Sequence, residues 1–254
     1  MTMALLTALG VGGATMIGAL IGLIFKKISH KFSDTILGFA AGVMLAAAVI
    51  GLILPSLEYG DYAIGWRLLV TVAGIFAGAV CLNLIDKLVP HLHKMAGNDS
   101  EERHANKSLN KVLLFVLAIA IHNLPEGIAA GVGFGTGNNA QALIIAGGIA
   151  LQNIPEGMVI IGPMLSAGIS PTKTILIALG TGLIEVIGTL IGFFAVSVSQ
   201  AILPFALAFA GGTMLYVISD EMIPETHAHG HQRGATYALL VGFCLMIATD
   251  AFLG

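Results

Sequence analysis

Long hydrophobic stretches dominate this chain, and short polar segments separate them. A helix rises 1.5 Å per residue, so roughly 20 apolar residues are needed to cross a bilayer core of ~30 Å. Eight stretches reach this length, and the pattern therefore predicts an all-α integral membrane protein with eight transmembrane helices. The predicted spans cover about residues 3–25, 34–57, 66–89, 111–134, 139–166, 172–197, 200–224 and 235–253.

The composition supports a membrane protein and argues against a soluble one. Of 254 residues, 57% are hydrophobic and 10% are charged, whereas a soluble domain carries about 25% charged residues. The formal net charge of -3 gives no indication of nucleic-acid binding. The most polar stretch, about 90–110, holds His91, His93 and His104. We expect it to be a loop within a single transporter domain covering 1–254.

Lysine and arginine predict the orientation of the chain, because cytoplasmic loops are enriched in them. If the segment between the first two spans is cytoplasmic, all of the 11 lysines and arginines except Arg67 fall at cytoplasmic ends. This pattern predicts a multi-pass protein of the cell membrane with both termini outside. It places the histidine-bearing loop at 90–110 in the cytoplasm.

Two similar hexapeptides lie inside the fourth and fifth spans. Residues 122–127 read HNLPEG and residues 152–157 read QNIPEG, so they match at four of six positions. Each places a metal-capable side chain four residues before a carboxylate, which puts both on one face of a helix. Each also contains a proline, which removes a backbone hydrogen bond inside the membrane. Buried ionisable groups in such a setting indicate a cation pathway.

Three glutamates, Glu126, Glu156 and Glu185, lie near the middle of their predicted spans, where no lysine or arginine is found. They must be protonated, solvated or neutralised by a bound cation. One alternative is that each is a protonated acid that holds helices together. Because all three share one depth with His122 and Gln152, a cation site is favoured.

The available donor atoms indicate which cation would bind. Imidazole nitrogen together with carboxylate and amide oxygens suits first-row divalent metals such as Zn²⁺, Fe²⁺ and Mn²⁺. A Ca²⁺ or Mg²⁺ site would more often be all oxygen. A two-metal site and one metal plus protons both remain open, and the sequence does not choose among Zn²⁺, Fe²⁺, Mn²⁺, Co²⁺ and Cd²⁺. No prosthetic group is predicted.

The two hexapeptides resemble the signatures of the ZIP (Zrt/Irt-like) divalent-metal transporters, and of prokaryotic GufA-type members in particular. The resemblance covers the whole chain. It implies a 3+2+3 arrangement, with spans one to three and six to eight as inverted repeats around spans four and five. It also implies a homodimer, and transport of divalent metal, above all zinc, into the cytoplasm by exposing the midplane site to each side in turn.

The resemblance also implies which residues bind metal. At the midplane, four side chains would hold the transported ion: His122, Glu126, Gln152 and Glu156. Three more would complete a second position that shares both motif glutamates: Asn123, Asn153 and Glu185. Two further residues fall at pathway positions of the family: Met44 and Glu221. Met44 on its own is more typical of packing, and Glu221 is equally typical of an interfacial charge, so these alternatives stay open.

Two departures from the family pattern affect the site. Many members have a second histidine where Gln152 stands, and several have an aspartate where Asn153 stands. Neutral amides at both positions weaken the expected affinity for metal and make the second position the weaker one. Asp34 is either a helix N-cap or an exit ligand.

Three histidines alternate at the predicted cytoplasmic end of span seven: His227, His229 and His231. We predict that they contact metal leaving the midplane, against the alternative of ordinary loop composition. Two rival functions are open, a channel or proton-coupled exporter and an intramembrane metalloenzyme. His122 and Glu126 have the spacing of a helical metal site, but the HExxH pattern is absent. We therefore predict that the chain is not an enzyme.

Overall fold

The computed structural model describes residues 2–25, 29–96, 105–134 and 137–253 of the chain. Within these ranges the regular structure consists of helices, which confirms the all-α prediction. Eight of them are long: α1 Thr2–Phe25, α2 His30–Glu58, α3 Ile64–Ala96, α4 Ala105–Gly133, α5 Asn139–Ser166, α6 Pro171–Val198, α7 Leu203–His227 and α8 Gln232–Leu253. A 3₁₀ turn at Gln200–Ile202 precedes α7.

These helices have the dimensions of a membrane bundle. Among the described residues, seven of them are long and apolar enough to cross a bilayer, judged by length and composition. The remaining long helix, α4, has 29 residues and packs against α5, α6 and α7. The protein is therefore a multi-pass membrane protein.

The polar stretch between α3 and α4 differs from the sequence-based expectation. We expected a loop at about 90–110, but α3 continues to Ala96 and α4 already begins at Ala105. A helix that leaves the bilayer can continue in water with polar residues, so a span predicted from hydropathy is shorter than the helix. His91 and His93 therefore belong to α3, and His104 lies outside the described residues.

The helices pair in a way that relates the two halves of the chain. The contacts of α1 with α5 and α2 with α8 correspond to those of α6 with α4 and α7 with α3. Exchanging α1 with α6, α2 with α7, α3 with α8 and α4 with α5 thus leaves the pattern unchanged. This is the pairing expected of two related halves around a central α4–α5 pair.

Two wide π turns occur at corresponding places in α2 and α7. They cover Ala47–Ile53 and Ile218–Met222, and each is followed closely by a proline, Pro55 or Pro224. Proline cannot donate the usual backbone hydrogen bond, and a wide turn accommodates this loss. The second π turn carries Glu221, so it sets the position of this carboxylate.

The final glycine of each hexapeptide brings two helices into close contact. A Cβ atom at Gly127 would collide with the Glu185 carbonyl of α6, and one at Gly157 with the Thr15 carbonyl of α1. Small residues allow such backbone approach between membrane helices. The glycines therefore hold the hexapeptides against α6 and α1, where Glu185 and Thr15 meet the site.

Candidate metal centre

The two hexapeptides face each other on α4 and α5 in a crossed arrangement. Only residues 134–138 separate these helices, so they form an antiparallel pair. Antiparallel packing sets the first position of one motif opposite the fifth position of the other. Gln152 Nε2 donates to Glu126 Oε1 at 2.7 Å, while His122 and Glu156 line one cavity and interact electrostatically.

The two crossed pairs differ in their exposure. Glu126 and Gln152 are 1% and 0% exposed, so this pair is enclosed by protein. His122 retains 9% exposure and Glu156 is half-buried. The His122–Glu156 pair is consequently the more accessible of the two, and both of its members line a cavity.

A second layer of polar groups lies behind the enclosed pair. Asn153 Nδ2 donates to Glu185 Oε1 at 2.5 Å and reaches the Val11 carbonyl at 3.2 Å. Thr15 Oγ1 donates to Glu185 Oε2 at 3.4 Å. The Glu185 and Glu126 carboxyl groups are close enough to interact electrostatically. Two residues of the predicted second position, Asn153 and Glu185, are thus connected to the first position through Glu126, whereas the Asn123 amide has no hydrogen-bond partner in the described part of the chain.

A cavity of about 480 Å³ connects the exposed pair with the end of α7. At its inner end His122 Nε2 lies 2.6 Å from Glu221 Oε1. The acidic and imidazole side chains that line it are His122, Glu156, Asp220, Glu221 and Glu225, and the cavity reaches Leu37 and Ala228. The path from the motifs toward the end of α7 is therefore lined by carboxylates.

The donor atoms suit a divalent metal, but they currently bind one another. Four buried oxygens of the two hexapeptides have no hydrogen-bond partner in the described part of the chain: Asn123 Oδ1, Glu126 Oε2, Gln152 Oε1 and Asn153 Oδ1. Together with the His122 imidazole they are ligand types that zinc accepts. Among the described residues, however, no group of three or more His, Cys, Asp or Glu side chains is arranged to hold a metal ion. Metal binding would therefore require these side chains to exchange partners.

Met44 is placed with the packing residues. Its side chain is 0% exposed and belongs to the largest apolar cluster, beside residues such as Leu52 and Met214. It is not among the residues that line the carboxylate cavity. Its predicted place in the pathway stays a prediction.

The three alternating histidines lie in three separate environments. His227 Nδ1 lies 2.7 Å from the Ile223 carbonyl within its own helix. His229 Nδ1 lies 3.0 Å from Asp34 Oδ1. His231 lines a separate cavity with Lys31. The structure does not bring the triplet together around one point.

Asp34 is a buried residue of α2 and not its N-cap. The N-cap is Ser29, whose side chain accepts a hydrogen bond from the Phe32 amide at 3.3 Å. Asp34 lies a full turn later and is 1% exposed. The N-cap interpretation is therefore wrong, because serine already satisfies the first turn of the helix.

One residue that contacts the site, Thr15, has no signal in the sequence. Thr15 lies in an apolar stretch with no polar neighbour to mark it, so nothing in the sequence singled it out. The relation between α2 and α7 did have a signal. Residues 39–45 read FAAGVML and residues 209–215 read FAGGTML, which match at five of seven positions. This repeat marks α2 and α7 as corresponding helices, each with a wide turn after it.

Comparison with known proteins agrees with the geometry. A family model described as "ZIP Zinc transporter" matches residues 91–250, which include both hexapeptides and α7. The chain belongs to the ZIP family. It is 40% identical over 253 residues to a protein named zinc transporter GufA from Myxococcus xanthus, covering 98% of both chains. It is therefore a prokaryotic ZIP member of the GufA type.

Other relatives of this ZIP protein carry similar names. It is 38% identical to the zinc transporter ZIPB of Bordetella bronchiseptica, covering 95% of this chain and 78% of that one. It is 36% identical to the zinc transporter ZupT of Chlorobaculum parvum, with 92% and 91% covered. ZIP is a family of transporters and not of enzymes, which confirms the prediction that the chain is not an enzyme.

Proposed function

We propose that this ZIP protein carries divalent transition metal, foremost Zn²⁺, into the cytoplasm, and that the crossed hexapeptides hold the ion. The main support is the crossed pairing itself. It places one imidazole, two carboxylates and one amide on two facing helices at the head of a carboxylate-lined cavity. The names of the relatives, all zinc transporters, support zinc as the substrate.

In this mechanism the ion reaches the crossed pairs from the outside, when helix movements expose the midplane site to that side. His122 Nε2 now lies 2.6 Å from Glu221, and an arriving ion takes the place of this carboxylate. The ion then lies between His122 and Glu156. Rotation of the Gln152 amide directs its unpartnered oxygen, rather than its nitrogen, toward the ion beside Glu126. Four donors at about 2.0–2.2 Å would complete the coordination that zinc prefers.

Charge compensation explains why the site contains carboxylates without basic partners. A divalent ion offsets two of the three negative charges of Glu126, Glu156 and Glu185. The bond from Asn153 to Glu185 lies one step away from the crossed pairs. Glu185 and its amide partner therefore assist the site or hold a second, weaker ion, as the neutral Asn153 suggests.

Release follows the cavity toward the end of α7. Glu221 contacts His122 and lines the cavity together with Asp220 and Glu225, so it can pass an ion from one carboxylate to the next. The distribution of lysine and arginine supports a cytoplasmic position for this end, with eight spans and both termini outside. Under that orientation the structure is an inward-facing state. A homodimer remains part of the proposal.

Metal uptake into proteoliposomes tests this function. The purified protein should carry Zn²⁺, and Fe²⁺, Mn²⁺, Co²⁺ and Cd²⁺ should compete while Mg²⁺ should not. The Glu156→Gln variant should lose uptake, whereas Asp61→Asn, a matched change outside the site, should retain it. Imposed metal and proton gradients in either direction separate import from export and from channel conduction. Equal Zn²⁺ entry into vesicles with and without protein would contradict the proposal.

A further inference from the structure

A basic cavity lies between the first turns of α2 and α8 and shares no lining residue with the carboxylate cavity. Its volume is about 330 Å³. The charged or ionisable side chains that line it are Lys31, His231 and Arg233, and no Asp or Glu from the described part of the chain is among the lining residues. The cavity therefore suits an anion rather than a metal ion.

The two permanent cations of this cavity, Lys31 and Arg233, have no acidic partner among the described residues. Neither of the ion pairs formed there includes them. Asp34 is close in sequence, but it is buried, lies 3.0 Å from His229 and does not line the cavity. Two cations that share a cavity repel each other, and an anion between them offsets this repulsion. The local charge thus favours a bound anion.

The packing of α8 against α2 forms the floor of the basic cavity. A Cβ atom at Gly38 would collide with the Ala235 carbonyl, so the two backbones touch at that level. At Gly234, by contrast, the nearest atom to an added Cβ would be Thr35 Oγ1 at 3.9 Å. The tight contact therefore ends at Thr35 and Gly234, and a side chain larger than glycine at position 234 would enter the cavity.

An exposed face of α8 continues from this cavity into the apolar part of the helix. Arg233, Tyr237 and Val241 follow one another at intervals of four residues, so they lie on one face. Tyr237 is 71% exposed and Val241 is 61% exposed. Tyrosine is typical of the membrane interface, and an exposed valine beyond it would contact acyl chains. A ligand with an anionic head and apolar tails matches this order of basic, interfacial and apolar surface.

We propose that the basic cavity binds the phosphate-bearing headgroup of an anionic phospholipid, whose acyl chains lie along the exposed face of α8. Basic pockets between membrane helices bind such headgroups. Lys31 contacts the phosphate from α2 and Arg233 contacts it from α8, so the bound lipid holds the start of α8 to α2. The proposed orientation puts this lipid in the cytoplasmic leaflet, but the affinity of the cavity for the headgroup does not depend on the orientation or on metal transport.

Native mass spectrometry of the full-length protein in detergent, with phosphatidylglycerol or phosphatidylcholine added, tests this proposal. One phosphatidylglycerol should stay bound to the wild-type protein under conditions that remove phosphatidylcholine. Lys31→Gln and Arg233→Gln should each weaken this binding by about fivefold, the contribution of one cation near an anionic headgroup. Lys173→Gln is the matched control, because it removes one charge at the start of α6, away from the cavity, and it should bind as the wild type does.

A change of shape separates a defined site from general attraction between basic residues and anionic lipid. Gly234→Leu keeps every charge but fills the cavity, so it should abolish the retention of phosphatidylglycerol. Unchanged retention by Gly234→Leu, or an equal loss in Lys173→Gln and Lys31→Gln, would show that general charge accounts for binding and would overturn the proposal. Should Gly234→Leu not fold, the Lys31→Gln/Arg233→Gln variant decides, and wild-type retention by that variant contradicts the site.

Inorganic phosphate distinguishes a lipid from a free anion with the same chemistry. It should not displace phosphatidylglycerol from the wild-type protein, because it lacks the acyl chains that contact α8. Displacement by inorganic phosphate, or equal retention of phosphatidylglycerol and phosphatidylcholine, would contradict a phospholipid site. The variants leave the crossed hexapeptides intact, so these outcomes do not decide whether the hexapeptides hold metal, and the uptake measurements do not decide whether the cavity holds lipid.

Discussion

The two hexapeptides have nearly the same sequence, yet they contribute different residues to the two crossed pairs. HNLPEG contributes His122, which lines the cavity, and the enclosed Glu126, whereas QNIPEG contributes the enclosed Gln152 and the half-buried Glu156. The antiparallel packing of α4 and α5 causes this exchange, because equivalent positions then face opposite ends of the bundle. Sequence repetition has produced one accessible pair and one closed pair.

This difference assigns a separate task to each pair. The His122–Glu156 pair lines the cavity, and His122 contacts Glu221, so in the proposed mechanism this pair exchanges metal with the cavity. The Gln152–Glu126 pair is connected inward to Glu185 and Asn153. Departures from the family pattern fall on the closed side, at Gln152 and Asn153. On the accessible side, His122 and Glu156 both match the family pattern.

The largest expected effect is the loss of either motif glutamate. Glu126→Ala and Glu156→Ala should each reduce Zn²⁺ uptake into proteoliposomes by at least about 100-fold, because a direct ligand contributes more than a supporting group. Both variants should fold, since a buried carboxylate without a basic partner stabilises little. Near-normal uptake by either one would show that the crossed pairs do not hold the transported metal.

Packing of the hexapeptide against α1 gives the next effect. Gly157→Ala should destabilise the protein by about 1–3 kcal/mol, because its new methyl group meets the Thr15 backbone rather than a movable side chain. Gly162→Ala is the matched control on the same helix, where a Cβ atom meets nothing within 4 Å. Thermal unfolding in detergent measures both. Equal midpoints for the two variants would contradict the close α1–α5 contact.

A smaller effect is expected on the closed side. Glu185→Gln should slow Zn²⁺ uptake by about tenfold without eliminating it, the size typical of losing a group that supports a ligand. The amide keeps the shape of the side chain, and Asn153 can still bond to it. The initial uptake rate at several Zn²⁺ concentrations measures this. Complete loss would instead indicate that two metals are obligatory in each cycle.

The smallest effect concerns the exit. Replacing His227, His229 and His231 with alanine should lower the uptake rate by roughly two- to threefold, since partly solvated polar contacts contribute little. Equilibrium affinity at the midplane should be largely unchanged, because His122 and the glutamates are untouched. Uptake in oriented vesicles and binding in detergent are compared. An unchanged rate would remove these residues from the exit path.

The sequence predicts the ends of a helix well where the helix ends at the bilayer surface. It predicts them poorly where the helix continues into water. For α5 the apolar stretch at 139–166 coincides with the helix, since both ends lie at polar residues. The predicted span for α3 ends at about residue 89, but the helix continues to Ala96. The predicted span for α4 begins at about residue 111, but the helix already begins at Ala105. Hydropathy indicates which residues lie in lipid, and a helix that extends outside the bilayer does not need apolar residues there.

The candidate site shows a similar division. The spacing of four residues predicts that His122 and Glu126 share a face of one helix. It does not predict which residue of the neighbouring helix each one meets, because that depends on the register of α4 against α5. The contact between His122 and Glu221 depends further on the π turn in α7, which rotates the following residues and has no simple signature in the sequence.

Zinc-edge anomalous diffraction from crystals grown with Zn²⁺ tests most directly whether the crossed hexapeptides hold the ion. The account predicts a peak between α4 and α5, about 2.0–2.2 Å from His122 Nε2 and from a carboxylate oxygen of Glu156. The peak should disappear in crystals of the Glu156→Gln variant. Zinc bound elsewhere in the wild-type protein, with no peak between the two hexapeptides, would contradict the account.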